Sequence, residues 1–121
     1  MKNNVLADKT VDFAVRIIKF YKYLFDEKKE YVLSKQVLRS GTSIGANVRE
    51  SKNAQSNADF ANKLNIALKE ADEIQYWLEI MEKAGLVKEE QVSKLNEDLK
   101  EIIAILVSSL KTLKTKRKQS A

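Results

Sequence analysis

Cysteine, histidine and proline are all missing from the 121 residues of this chain, and glycine occurs three times. Without cysteine there is no disulfide framework, no thiolate nucleophile and no thiolate metal site. Without histidine the commonest general base and the commonest neutral metal ligand are gone. Asp and Glu remain able to hold a hard cation or to act as acid and base, yet no carboxylate cluster stands at a defined spacing. The expectation is a non-enzymatic protein with no catalytic residue, no cofactor and no metal. So few turn formers argue against many strands and for a few long helices. No stretch approaches the roughly 18 apolar residues of a membrane span. With no long apolar run at its start, the chain is expected to be one cytoplasmic domain with no membrane contact.

What the chain does contain is Leu, Ile, Ala, Lys and Glu at helical spacing. A first helix is predicted from about Asp8 to Phe25, with two neighbouring apolar series: Val11, Ala14, Ile18, Tyr21, Phe25, and Phe13, Ile17, Phe20, Leu24. That arc is wider than one neighbour requires, so this helix is buried on two sides or also meets another subunit. A second helix is predicted over Tyr31 to Ala54. Ser56, followed three residues later by Asp59, reads as the N-cap of a third. Phe60, Leu64, Ala67, Ala71, Ile74, Leu78 and Met81 then recur at four and three residues, the spacing of a bundle seam. Gly85 and Leu86 read as its terminator. A fourth helix opens near Lys88 and carries Val92, Leu95, Leu99, Ile102, Leu106, Leu110 and Leu113. Four amphipathic helices with short connections predict an all-α, antiparallel up-down-up-down four-helix bundle over residues 1–113, with a basic, disordered tail at 114–121.

The second helix holds the least ordinary stretch, Ser40 to Glu50. Two glycines lie inside a helical pattern, each costing roughly 1 kcal/mol relative to alanine. They fall four apart on the apolar side with Ile44, where missing side chains let another helix come close. The narrow opposite face collects Gln36, Arg39, Ser43, Asn47 and Glu50. Either this stripe presents Arg39 and Asn47 to phosphates or base edges, or Asn47 and Glu50 hydrogen-bond to a neighbouring helix or subunit and fix one crossing. Gly41, Ile44, Gly45, Asn47 and Glu50 are accordingly the candidate packing or assembly residues. Glu70 and Glu73 invite a metal reading, but a di-iron bundle site uses Glu-x-x-His motifs and the chain has no histidine.

The net charge of +5 hides three blocks. Residues 1–52 carry a balance of +5, residues 53–110 one of −5, and residues 111–121 one of +5. Such a polarised body can bind nucleic acid or attract copies of itself, while drifting solvated faces would look the same. The candidate nucleic-acid contacts are Arg16, Lys19, Lys22, Lys35, Arg39, Arg49 and Lys52 on the first half, and Lys114, Lys116, Arg117 and Lys118 in the tail.

Three stretches carry a resemblance: Leu38 to Glu50, with its Ser-Ile-x-Ala-Asn-Val-x-Glu core; Asp59-Phe60, Lys63-Leu64 and Ile66 to Ala71; and Tyr76-Trp77-Leu78 closing on Gly85-Leu86. On these the chain resembles the ribosomal-protein-like family encoded in intervening sequences of bacterial 23S rRNA genes, over nearly its whole length. The usual form of that family has proline at the position of Gly45 and glycine at that of Ser51. Those two differences bear on a kink in the second helix and on an early stop. The resemblance implies a four-helix bundle, a homopentameric ring, and a relation to the accessory protein of diversity-generating retroelements, which forms a similar ring and binds nucleic acid. It implies no enzymatic activity. The expected function is an oligomeric helical bundle that binds RNA or other single-stranded nucleic acid through a basic surface. The alternative is a structural or protein-partner scaffold in which charge alternation only drives assembly.

Overall fold

The computed structural model describes the backbone of residues 2–120 and the side chains of residues 5–115. It contains four helices: α1 Lys2–Asp26, α2 Leu33–Ser51, α3 Asn57–Lys83 and α4 Glu89–Ser120. Helix α1 packs on α2 and α4, and α3 packs on α2 and α4, which is the neighbour order of an up-down-up-down bundle.

The ends of the helices follow from local chemistry. Helix α1 begins before the expected Asp8 because nothing in residues 2–7 breaks a helix, and Leu6 then joins the core. Lys29, with a φ of 56°, turns the chain through the left-handed region after α1. Helix α2 begins at Leu33 rather than Tyr31. Its start lacks a cap from Val32, and the Glu30 carboxylate instead accepts the Ser34 backbone N–H at 2.8 Å. It ends at Ser51, three residues short of the expected Ala54, and tight bonds such as Ala54 N–H to Ser51 carbonyl finish it without a glycine. The Ser56 hydroxyl accepts the Asp59 backbone N–H at 3.0 Å, while Asp59 accepts from Gln55, so α3 is capped in both directions.

The far end of α3 is a Schellman turn. Leu86 N–H donates to the Met81 carbonyl and Gly85 N–H to the Glu82 carbonyl, with Gly85 at a φ of 78°. Helix α4 runs to Ser120, and the side chains expected in a disordered tail lie outside the described residues beyond Thr115.

The core takes one stripe from each helix. From α1 come Leu6, Phe13, Ile17, Phe20 and Leu24; from α2, Val37, Ile44 and Val48. Helix α3 gives Leu64, Ala67, Ala71, Ile74, Leu78 and Met81, and α4 gives Val92, Leu95, Leu99, Ile102 and Leu106. Only the second of the two apolar series on α1 is therefore core. In the first, Val11 and Ile18 stay 45% exposed, and Ala14, Tyr21 and Phe25 are half-buried.

The glycines of α2 face α1. A Cβ on Gly41 would fall 2.7 Å from the Ile17 side chain, and one on Gly45 would fall 3.2 Å from that of Thr10. The close neighbour those glycines admit is thus a helix of the same chain. Gly41→Ala is expected to force Ile17 out of place and cost about 1–3 kcal/mol by overpacking. Gly45→Ala, with looser contacts, should cost distinctly less, and urea denaturation of the two variants measures the difference.

Candidate assembly interface

The polar stripe of α2 is the first site to resolve. Arg39 donates to Glu70 at 3.1 Å and to Glu73, both on α3. Glu50 accepts from Lys63 of α3 at 3.0 Å. Asn47 donates to the Ser43 carbonyl one turn earlier, and Ser40, Thr42 and Ser43 spend their hydroxyls on carbonyls of their own helix. The stripe accordingly lies along the α2–α3 seam, and its charged members are tied within the chain. Ile44 is fully buried. Glu70 and Glu73, the pair considered for a metal, are held by one guanidinium, and Glu73 also accepts the indole N–H of Trp77 at 3.2 Å.

Electrostatics follow this geometry. The hydrogen bond from Arg39 holds the Glu73 carboxyl below its ordinary value, against a smaller opposing effect of burial. The same bond raises the Arg39 guanidinium. On the opposite seam, between α1 and α4, Lys9 pairs with Glu101, and Arg16 with Asp98 at 3.1 Å. The Lys9 bond lowers the Glu101 carboxyl in the same way.

The predicted basic surface therefore divides. Arg16 and Arg39 already have carboxylate partners, which leaves them poor phosphate ligands. Lys19, Lys22, Lys35, Arg49 and Lys52 are exposed and make no ion pair among the described residues. Lys114 is exposed as well, whereas Lys116, Arg117 and Lys118 lie outside the residues whose side chains are described.

What composition could not show is where the uncovered half of α1 points. Val11, Ala14, Val15 and Ile18 form one wall of a groove of about 470 Å³, and Thr42, Gly45, Ala46 and Arg49 of α2 form the other. Val15 is 46% exposed, like its neighbours Val11 and Ile18. Gly45 keeps the floor open, since any side chain there would project beside Thr10. Toward one end, Tyr21, Phe25 and Tyr31 continue the apolar line as stacked rings, Phe25 and Tyr31 meeting edge-on at 4.7 Å between centroids. Arg49 lines the groove, and helical spacing puts Lys22, four residues after Ile18, and Lys35, seven before Thr42, on the same two faces, all three exposed. The lining is mostly apolar, with Arg49 and Glu50 among its few charged members, and the arrangement suits docking of another apolar surface.

The model of the 23S rRNA-intervening sequence protein family matches residues 2–108. This chain belongs to that family. The chain is also similar to the crystal structure of a protein with unknown function from the S23 ribosomal protein family of Bacteroides thetaiotaomicron. The two are 57% identical with a TM-score of 0.89, over 92% of this chain and 99% of the other. No curated protein matches. Among the described residues, no helix is long and apolar enough to cross a membrane.

The Arg39–Glu73 pair gives a pH test of the α2–α3 seam. Because the folded-state pKa of Glu73 lies below the ordinary 4.5, the stability it contributes is fully present above that value. It is lost as pH falls through the lower, folded value. Glu73→Gln should lower the urea midpoint at neutral pH, and the difference from the parent should shrink as pH falls below 4.5 and close once the folded carboxyl is protonated.

Proposed function

We propose that this chain is a non-enzymatic helical bundle whose work is done as an assembly of identical copies, built through the α1–α2 groove. The observation that carries the reading is the apolar wall of Val11, Val15 and Ile18, nearly half exposed along about two turns of a helix whose other side is core. Isolated exposed aliphatics are ordinary, but a contiguous set lining a groove marks an interaction surface. The charge division supports a self-partner: a basic α1–α2 half and an acidic middle on one chain attract each other between copies. The family resemblance, with its implied pentameric ring and retroelement relation, points the same way.

A nucleic-acid role is a second reading, resting on the +5 net charge and on Lys111 and Lys114, which are exposed near the end of α4 and form no ion pair among the described residues. It calls for no base-specific contact, only phosphate neutralisation on the outside of the assembly.

Sedimentation at micromolar concentration is expected to show an oligomer, and Ile18→Asp is expected to reduce it to monomer with helical content unchanged; a monomeric parent refutes the proposal. For the second reading, titration with single-stranded RNA at two salt concentrations should give a log-log slope of roughly −0.7 per phosphate contact. Absence of binding at low salt, with or without residues 114–121, removes that reading.

A further inference from the structure

The α1–α2 groove has a counterpart on the same chain. Seven large apolar side chains are exposed among the described residues: Val5, Val11, Val15, Ile18, Tyr31, Val32 and Tyr76. Six belong to α1 or to the α1–α2 connection. The seventh, Tyr76, stands alone on α3, 58% exposed and two residues from buried Ile74 and Leu78, so it points away from the core. Its ring leans edge-on against Trp77 at 5.4 Å, and Trp77 is in turn held by Glu73. The tyrosine thus stands on a fixed base, with little rotamer freedom left to lose on burial.

Charge decides between the two ways a second copy can sit on the groove. Groove against groove would bring Lys22, Lys35 and Arg49 of one copy onto the same cations of the other, with only the Lys63-paired Glu50 at the rim to offset them. Like charges pressed together disfavour that pairing. Helix α3 instead carries six acidic against three basic side chains. Asp72 and Glu79 lie within a turn of Tyr76; Lys69 and Lys83 share the face, and Lys83 pairs with Glu79. The attraction therefore comes from the net charge of the helix. Tyrosine is also among the side chains that dominate interface energetics when they fill an apolar pocket.

We infer that Tyr76 of one copy seats in the α1–α2 groove of the next, between Val15 of α1 and Ala46 of α2, with the net acidic helix α3 lying over Lys22, Lys35 and Arg49. The inference rests on the self-association proposed above and specifies its geometry. Donor and acceptor surfaces differ, so each copy uses both, and the contact is head-to-tail, closing into a ring or running on as a filament.

The test uses two single variants of the full chain, Tyr76→Asp and Val15→Asp, both at exposed positions, with circular dichroism to confirm the fold and Tyr76→Ala and Val15→Ser as milder replacements. In sedimentation each variant alone should be monomeric where the parent is assembled, and Tyr76→Ala should weaken association by about thirty-fold or more, the loss of a tyrosine hot spot. Mixing the two Asp variants should give a dimer and nothing larger, since one copy keeps its tyrosine and the other its groove. If Val15→Asp is monomeric while Tyr76→Asp assembles normally, the groove is used but by another partner surface, and this inference falls alone. If both are monomeric and their mixture stays so, the pairing of these two surfaces is wrong. If the parent itself is monomeric, the self-association reading falls with it.

Discussion

The approach of α2 to α1 is the constraint from which most of the molecule follows. Ile17 lies where a side chain at position 41 would be, and Thr10 nearly touches the space above Gly45. Two glycines inside a helix are unfavourable by themselves, at roughly 1 kcal/mol each, and the tight packing of Phe13, Ile17 and Ile44 across this crossing offsets that cost. The same crossing sets what lies outside it. With the glycine backbone so near, α2 presents the small side chains of Thr42, Gly45 and Ala46 along most of α1, with Arg49 and Glu50 at one end, and Val11, Val15 and Ile18 stay nearly half exposed. Packing on the inside and exposure on the outside have one cause.

Charged pairs run along two of the three other flanks. Arg39 with Glu70 and Glu73, and Glu50 with Lys63, run along α2–α3; Lys9 with Glu101, and Arg16 with Asp98, run along α1–α4. Exposed pairs of this kind contribute little each, typically less than about 1 kcal/mol. Their effect is on pairing: they mark which helix lies beside which and remove cations from the surface available to phosphates. Among the described residues neither the α1–α2 flank nor the α3–α4 flank carries such pairs, and the α1–α2 flank is left with unmatched lysines and arginine beside apolar surface. On the self-association proposed above, that apolar flank is the one that meets another copy.

Much of this was legible in the sequence. The seam series from Leu64 to Met81, the Ser56 cap and the Gly85 terminator all depend on neighbours a few residues away, and all lie where local chemistry placed them. The breadth of the apolar arc on α1 already implied a second contact. Which of its two series was core was not readable, because Val11 and Phe13 obey the same helical period and only packing against α2 and α4 decides between them. The Arg39 stripe was ambiguous for a related reason: its partners are 31 and 34 residues away, and no local pattern encodes that separation. Tyr76 and Trp77 are adjacent aromatics that no local pattern tells apart; the exposure that distinguishes Tyr76 belongs to the folded molecule.

The pairing of α1 with α4 also bears on how the chain folds. Every other helix contact joins neighbours in sequence, so each can form as a short hairpin with little loop-closure entropy. The α1–α4 seam joins the helices farthest apart along the chain, and it is laced by ion pairs that salt screens. Folding should therefore proceed quickly through the three hairpins, in keeping with their low contact order. Closure of the fourth side comes last, and salt that screens its ion pairs slows it.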